Sequence, residues 1–235
     1  ICVTRSLLEH AAAGECEPEC VITAKYILDA TELGDLYELG GVEHAIGAES
    51  AATYGEMHGR TDRSDPMDQQ AFSWCFAIEH RPGEDHTVPR PQRFQFWRDY
   101  VPKMEPPWCG PLFSWTVPTH NEAGCRTFPF LPPPEQAPPG VWDMWRYRRI
   151  VDGSIFDPPR QDVCLVNWVQ MDYWLKPLLG VSEIQRREAL DDARELSLCF
   201  LHWMQTEAPG TNGGYGYRGL KLRGDELGTA DGFVS

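Results

Sequence analysis

Positive charge is scarce: 21 Lys and Arg stand against 35 Asp and Glu, a net charge of −14 over 235 residues. An acidic chain repels phosphate backbones, and the basic cluster Arg146, Arg148 and Arg149 is outweighed by acids elsewhere, so nucleic acid is not an expected partner. Long apolar runs are missing as well. No stretch approaches the roughly 20 residues a spanning helix requires, which excludes a helical membrane anchor within the sequence. The eight cysteines are too sparse for a disulfide scaffold, and several sit in apolar runs where a thiol acts as a small hydrophobe. Neither a Gly-x-Ser-x-Gly elbow, a His-Glu-x-x-His helix nor a phosphate loop is present, so hydrolase and nucleotide-hydrolase chemistry lack support. The absence of a repeat with a period of 20 to 50 residues removes solenoids and propellers.

What is present is 20 prolines, 21 glycines and nine tryptophans, a composition that points to long ordered loops around a strand-rich core with few helices. The expected fold class is mixed α+β. Residues 1–8 and 20–29 are β-branched and apolar and flank a small, polar stretch, which predicts a hairpin. A tight acidic turn and a short helix closed by Gly40 and Gly41 follow. Residues 48–69 read as loop with room for one helical turn. Phe72, Trp74, Phe76 and Ile78 alternate with Ser73, Cys75 and Ala77, predicting a strand buried on both faces. Residues 90–101, with Pro91 near the start and Phe94, Phe96, Trp97 and Tyr100 behind it, predict a short amphipathic helix.

From 102 to 140 the prolines come in pairs and triplets, and the segment is expected to run extended over a surface. Residues 145–151 alternate and meet Asp152-Gly153, a hairpin signal that would pair them with 154–156. The clearest helix spans 182–206. Ser182 and Gln185 form a capping box, and Leu190, Ala193, Leu196, Phe200 and Trp203 recur at helical spacing before Pro209-Gly210.

Three motifs give way to plainer readings. Gly214-Tyr-Gly216-Tyr-Arg-Gly219 satisfies G-x-G-x-x-G letter by letter, but a helix and a Pro-Gly loop precede it where a phosphate site needs a strand before and a helix after. Cys16-Glu-Pro-Glu-Cys20, with His10 nearby, lacks a second ligand pair and reads as a turn. The stretch from His80 to His86 has Pro82-Gly83 at its middle and reads as a turn too, leaving both histidines as candidates for substrate contact.

The informative segment is Tyr26-Ile-Leu-Asp29-Ala30-Thr31-Glu32-Leu-Gly34-Asp35-Leu36, followed by Gly40-Gly41 and Gly47-Ala-Glu49-Ser50. It resembles the FAD-dependent oxidoreductase family in which a strand ends in Asp-Ala-Thr-Gly or Asp-Ala-Thr-Glu and runs into Gly-Asp-Leu. Residues 167–174, the helix at 182–206 with Gln205-Thr206-Glu207, and Leu222-Arg-Gly-Asp225-Glu-Leu-Gly228-Thr-Ala-Asp231-Gly232 resemble the same family in the same order. The resemblance implies FAD as cofactor, with Asp29, Ala30, Thr31, Glu32, Gly34, Asp35, Asp231 and Gly232 lining it, and flavin-mediated hydride transfer on a small organic substrate. A small or acidic residue at a strand's carboxyl end lets backbone approach a dinucleotide, and Asp29, Thr31, Gly34 and Asp35 suit that role. The plainer reading is that Thr31 and Asp35 cap the short helix and Gly34 supplies a turn.

By the same resemblance, residues 1–50 are a remnant of an FAD-binding domain, 51–181 a strand-rich substrate side, and 182–235 a long helix and a return to the FAD-binding domain. Family members carry a strand, G-x-G-x-x-G and helix near the N-terminus, and a basic segment after the last Asp-Gly. Without them the chain is expected to be an internal fragment that holds FAD weakly or not at all. His44, His80, Asp172 and Tyr173 are polar groups near the matched motifs, with no catalytic base singled out. A reading from another class takes the tryptophans, among them Trp97, Trp108, Trp115, Trp142, Trp145 and Trp168, as platforms of a non-catalytic carbohydrate- or peptide-binding module. An exposed aromatic row would favour it.

Overall fold

The computed structural model describes residues 2–3, 20–21, 23–104, 107–119, 124–133, 142–227 and 229–234. The chain divides into two compact units, Ile1–Ala45 and Ile46–Ser235.

In the first unit, β1 (Cys2–Val3) pairs antiparallel with β2 (Cys20–Val21), Cys2 opposite Val21. The expected hairpin is there but shorter than its apolar pattern. Beyond Val21 the strand does not continue to Asp29: no ladder partner exists for residues 23–29 among the described residues, and Tyr26 and Leu28 stand 79% and 90% exposed. Strand propensity needs a neighbour whose backbone it can pair with, and the described residues supply none here. The proposed turn at Cys16, with His10, lies outside the described residues. After the acidic turn comes α1 (Asp35–Leu39), stopped at Gly40 and Gly41 as expected.

The second unit opens with a helical turn, α2 (Ala51–Tyr54), and is organised by β3 (Cys75–His80). β3 lies between β7 (Val163–Val166) and β8 (Leu220–Leu222), both antiparallel to it, with Ala77 opposite Leu165 and Ile78 opposite Leu222. β9 (Phe233–Val234) pairs with the first residues of β3, and β6 (Arg149–Val151) flanks β7. Phe76, Ala77 and Ile78 are fully buried, so both faces of β3 are covered, as the sequence predicts. The strand sits three residues later than expected. Phe72 instead forms an isolated bridge with Tyr173, and Glu79 enters the buried ladder.

Glu79 is tolerated there because Arg81 Nε at 2.6 Å and Arg223 Nη1 at 2.5 Å hold its two oxygens. Burial alone would raise its pKa, but the two guanidinium groups win and hold the carboxyl below its usual range.

α5 (Glu183–Thr206) has the expected capping box, and Ala193, Leu196, Phe200 and Trp203 are buried along it. α3 (Phe94–Asp99) is a shortened form of the helix expected over 90–101 and packs on α5, with the Phe94 ring edge-on to His202 at 4.7 Å. The 24-residue α5 has no 18-residue window apolar enough to span a bilayer, and no other described helix does either.

Two expectations are overturned. The described residues of the proline-rich stretch, 107–119 and 124–133, do not simply run over a surface: Leu112, Phe113, Trp115 and Phe130 are buried. Trp115 stacks on Phe130 at 4.9 Å and meets Trp203 of α5 at 5.0 Å. Proline sets an extended backbone, but the aromatic side chains between prolines gain more by burial than they lose by being fixed. Within the same stretch β4 (Thr116–Pro118) pairs with β5 (Cys125–Thr127), and Cys109 is disulfide-bonded to Cys125.

Secondly, residues 145–151 are not one strand. α4 (Met144–Tyr147) begins on Asp143, whose carboxylate accepts from Arg146 N at 2.7 Å, and only then does β6 start. β6 does not pair with 154–156, because Asp152 accepts from both Ser154 N and Ser154 Oγ and curls Gly153–Ile155 into a 3-10 turn. The partner of β6 is β7, and Arg149 braces that return by pairing with Asp152 and Asp162.

Candidate functional site

The acidic bend of the first unit is built by two side chains. Asp29 Oδ1 accepts from Thr31 N at 2.8 Å and Thr31 Oγ1 at 2.7 Å, Asp29 Oδ2 accepts from Leu36 N at 3.1 Å, and Thr31 Oγ1 accepts from Asp35 N at 2.8 Å. Donation from Thr31, then from the Leu36 amide, holds the Asp29 carboxyl below its usual range. Asp29, Thr31 and Asp35 are thus drawn together, and Gly34, with left-handed backbone at φ 69°, leads directly into α1. Ala30 and Glu32 are exposed, and their backbone N–H groups have no partner among the described residues. Part of the plainer reading is therefore correct: Asp29 and Thr31 satisfy the first amides of α1, which a glycine at its start cannot do. His44 is exposed and lies 6.1 Å from the Tyr37 ring.

Asp231 and Gly232 belong to the second unit. Asp231 accepts from Phe233 N at 3.1 Å and from Arg194 Nη2 at 2.8 Å, and Gly232 (φ 82°) turns the chain into β9. The glycines of 214–219 serve packing. Gly216 has φ +77° and a Cβ there would meet Gln205 O at 2.6 Å, while one on Gly219 would meet Arg81 O at 2.2 Å. That loop joins α5 to β8, so no helix N-terminus follows it. His80 borders an open groove beside the loop, with burial depressing its pKa, and His86 Nε2 lies 2.6 Å from Glu84.

A second place in the same unit is a cleft of about 730 Å³. Its walls are the β4–β5 ribbon with Arg126, the α4 segment with Trp142, Tyr147 and Arg148, and the chain after β7 with Trp168 and Asp172. Volume and lining fall in the range of small-molecule sites. Burial raises the Asp172 pKa, and donation from Ser73 Oγ at 2.5 Å only partly offsets it. Neighbouring Tyr173 is buried and donates to Asp192 at 3.1 Å, away from catalytic availability. Of the nine tryptophans Trp142 alone is exposed, so the aromatic row that a carbohydrate- or peptide-binding platform needs is not formed.

The family described as FAD dependent oxidoreductase matches residues 9–232. The chain belongs to that family. Its cofactor is FAD. Comparison with curated proteins and with solved structures returned no match. In this oxidoreductase-family chain the bend fits a dinucleotide in one respect: it is exposed and presents backbone N–H groups at Ala30 and Glu32 with no partner among the described residues. Asp29 has less to offer, since both its oxygens are already engaged.

Arg148 is the residue that sequence reasoning passed over. It stands in the run Arg146, Arg148, Arg149, but Arg146 pairs with Asp143, and Arg149 with Asp152 and Asp162, leaving Arg148 without a carboxylate partner among the described residues. Charge counting along the chain treats the three alike, and only the folded pairing separates them.

Proposed function

We propose that this chain supplies part of the flavin wall and the substrate side of an enzyme that passes a hydride between FAD and a small organic molecule. Residues 1–50 and the return at 213–235 serve the flavin, and 51–181 serve the substrate. FAD, when bound, supplies the isoalloxazine that accepts or gives the hydride. The chain's own contributions are positioning and exclusion of water. Asp29 and Thr31 fix the bend so that Ala30, Glu32 and Gly34 offer backbone to the dinucleotide, Asp35 starts the helix behind it, and Asp231 with Gly232 sets the closing turn.

The observation that carries this reading is the hydrogen-bonded, exposed bend at Asp29–Thr31–Leu36 inside a stretch that matches the family from residue 9 to 232. The test is the flavin-to-protein ratio of the flavin-loaded protein that carries these residues. Asp35→Ala and Gly34→Val are each expected to lower it several-fold. A ratio unchanged in both variants removes the bend from the flavin wall.

A further inference from the structure

We propose that the cleft bounded by Arg148, Arg126 and the Trp142–Tyr147 pair is a binding site for an organic carboxylate with a flat, unsaturated body, its anionic end on the Arg148 guanidinium. In so far as that ligand is the substrate, this rests on the reading above; as a binding site it does not need the flavin.

The charge balance of the cleft is the first argument. In a chain of net charge −14, nearly every half-buried arginine has a carboxylate partner. Arg148 has none, and no described residue hydrogen-bonds its side chain. Its Nε is buried without a partner, the only arginine atom in that condition among the described residues. Nε itself is too enclosed for a ligand to reach, but the two Nη groups are not enclosed and also have no hydrogen-bond partner among the described residues, so they are free to take one from a ligand in the cleft. Arg126, on the opposite ribbon, has no carboxylate partner among the described residues either and lies over the Phe128 ring at 4.8 Å.

The two acids of the cleft do not cancel these cations. Asp143 is already committed to Arg146, which leaves Asp172 alone against Arg126 and Arg148. Among the described residues the site is left net positive within an acidic protein, which favours an anion and disfavours a cation.

The second argument is shape. The Arg148 guanidinium is held 4.8 Å over the Tyr147 ring, so the planar fork is oriented before any ligand arrives. Tyr147 in turn lies 4.7 Å from Trp142, both of them exposed in part, and this pair offers an apolar face next to the fork. A planar carboxylate takes two parallel hydrogen bonds from such a fork, and an unsaturated body takes the aromatic face. Phosphate on a flexible chain would use the charge but not the face.

The test titrates the whole chain with benzoate, benzamide and inorganic pyrophosphate by calorimetry, with Trp142 fluorescence as a second signal. Benzoate is expected to bind saturably, and benzamide and pyrophosphate about tenfold more weakly or not at all. Arg148→Met should weaken benzoate about tenfold, Arg148→Lys less because it keeps the charge and loses the fork, and the exposed Arg126→Met about threefold. If Arg148→Met does not fold, Arg148→Lys and Arg126→Met decide. Benzamide as tight as benzoate, pyrophosphate tighter than benzoate, no saturable benzoate binding, or benzoate affinity unchanged in the arginine variants would each overturn the site. Flavin content is measured on the same preparations. Benzoate binding beside a flavin ratio that neither Asp35→Ala nor Gly34→Val lowers sinks the functional reading and leaves the site, whereas a lowered ratio without benzoate binding does the reverse.

Discussion

Between residues 23 and 45 the first unit buries no apolar side chain, whereas the second unit has a buried aromatic core, with Met57, Trp142, Ile155 and Tyr215 among the apolar side chains it leaves exposed. Tyr26, Ile27 and Leu28 stand in solvent beside a bend whose Asp29 and Thr31 side chains find their hydrogen bonds within a few residues. In the second unit Trp115, Phe130, Trp168, Phe200 and Trp203 interlock across long sequence distances, and even Glu79 is buried with its own cations. The difference teaches where each region's stability comes from. Local hydrogen bonds hold the bend, and non-local burial holds the cleft, so the cleft is rigid enough to preorganise a charged side chain while the bend offers backbone to a ligand.

The largest expected contrast is between core and bend. Phe200→Ala removes a fully buried ring and should cost about 4 kcal/mol in urea denaturation, whereas Leu28→Ser, already in water, should stay within about 0.5 kcal/mol. A Leu28→Ser cost near that of the core variant would break the comparison. Next is the Cys109–Cys125 bond, which ties one wall of the cleft across a separation of 16 residues. Replacing both cysteines by serine should cost about 3 kcal/mol by releasing the unfolded chain, and should weaken benzoate binding as the ribbon loosens.

Glu79→Gln is expected to cost about 2 kcal/mol at neutral pH, because Arg81 and Arg223 lose the charge they surround. The sign with pH follows from the depressed folded pKa. The carboxylate's contribution is complete above the ordinary glutamate range and disappears as pH falls through the lowered folded value, so the gap between wild type and Glu79→Gln should close in acid. A gap that widens in acid would reverse the assignment. The smallest effect is local: Asp29→Ala removes the acceptors of the Thr31 and Leu36 amides, and amide exchange should quicken at 31–39 with no change in the second unit.

Sequence legibility follows the same division. α5 was readable because its capping box and its apolar spacing are both local, and β3 because it is buried on both faces and so lacks polar interruptions until Glu79. The bend was readable as a turn into a short helix from Asp29, Thr31 and Gly34 alone. The proline-rich stretch misled because prolines report backbone, not burial, and the partners of Trp115 and Phe130 lie on α5 and beyond. The register of β6 misled because Asp143 and Asp152 each capture nearby amides and outcompete a hairpin. In the cleft, Asp172 could be suspected from its neighbours in sequence, but Arg148 could not. Its lack of a counterion depends on pairs that Arg146 and Arg149 make through the fold.

Hydrogen exchange of the flavin-loaded protein against the same protein stripped of flavin tests the central claim most directly. Protection that appears on flavin binding at residues 26–36, with the aromatic core around Phe200 unchanged, is the predicted result. Exchange at 26–36 that is identical with and without flavin would contradict it.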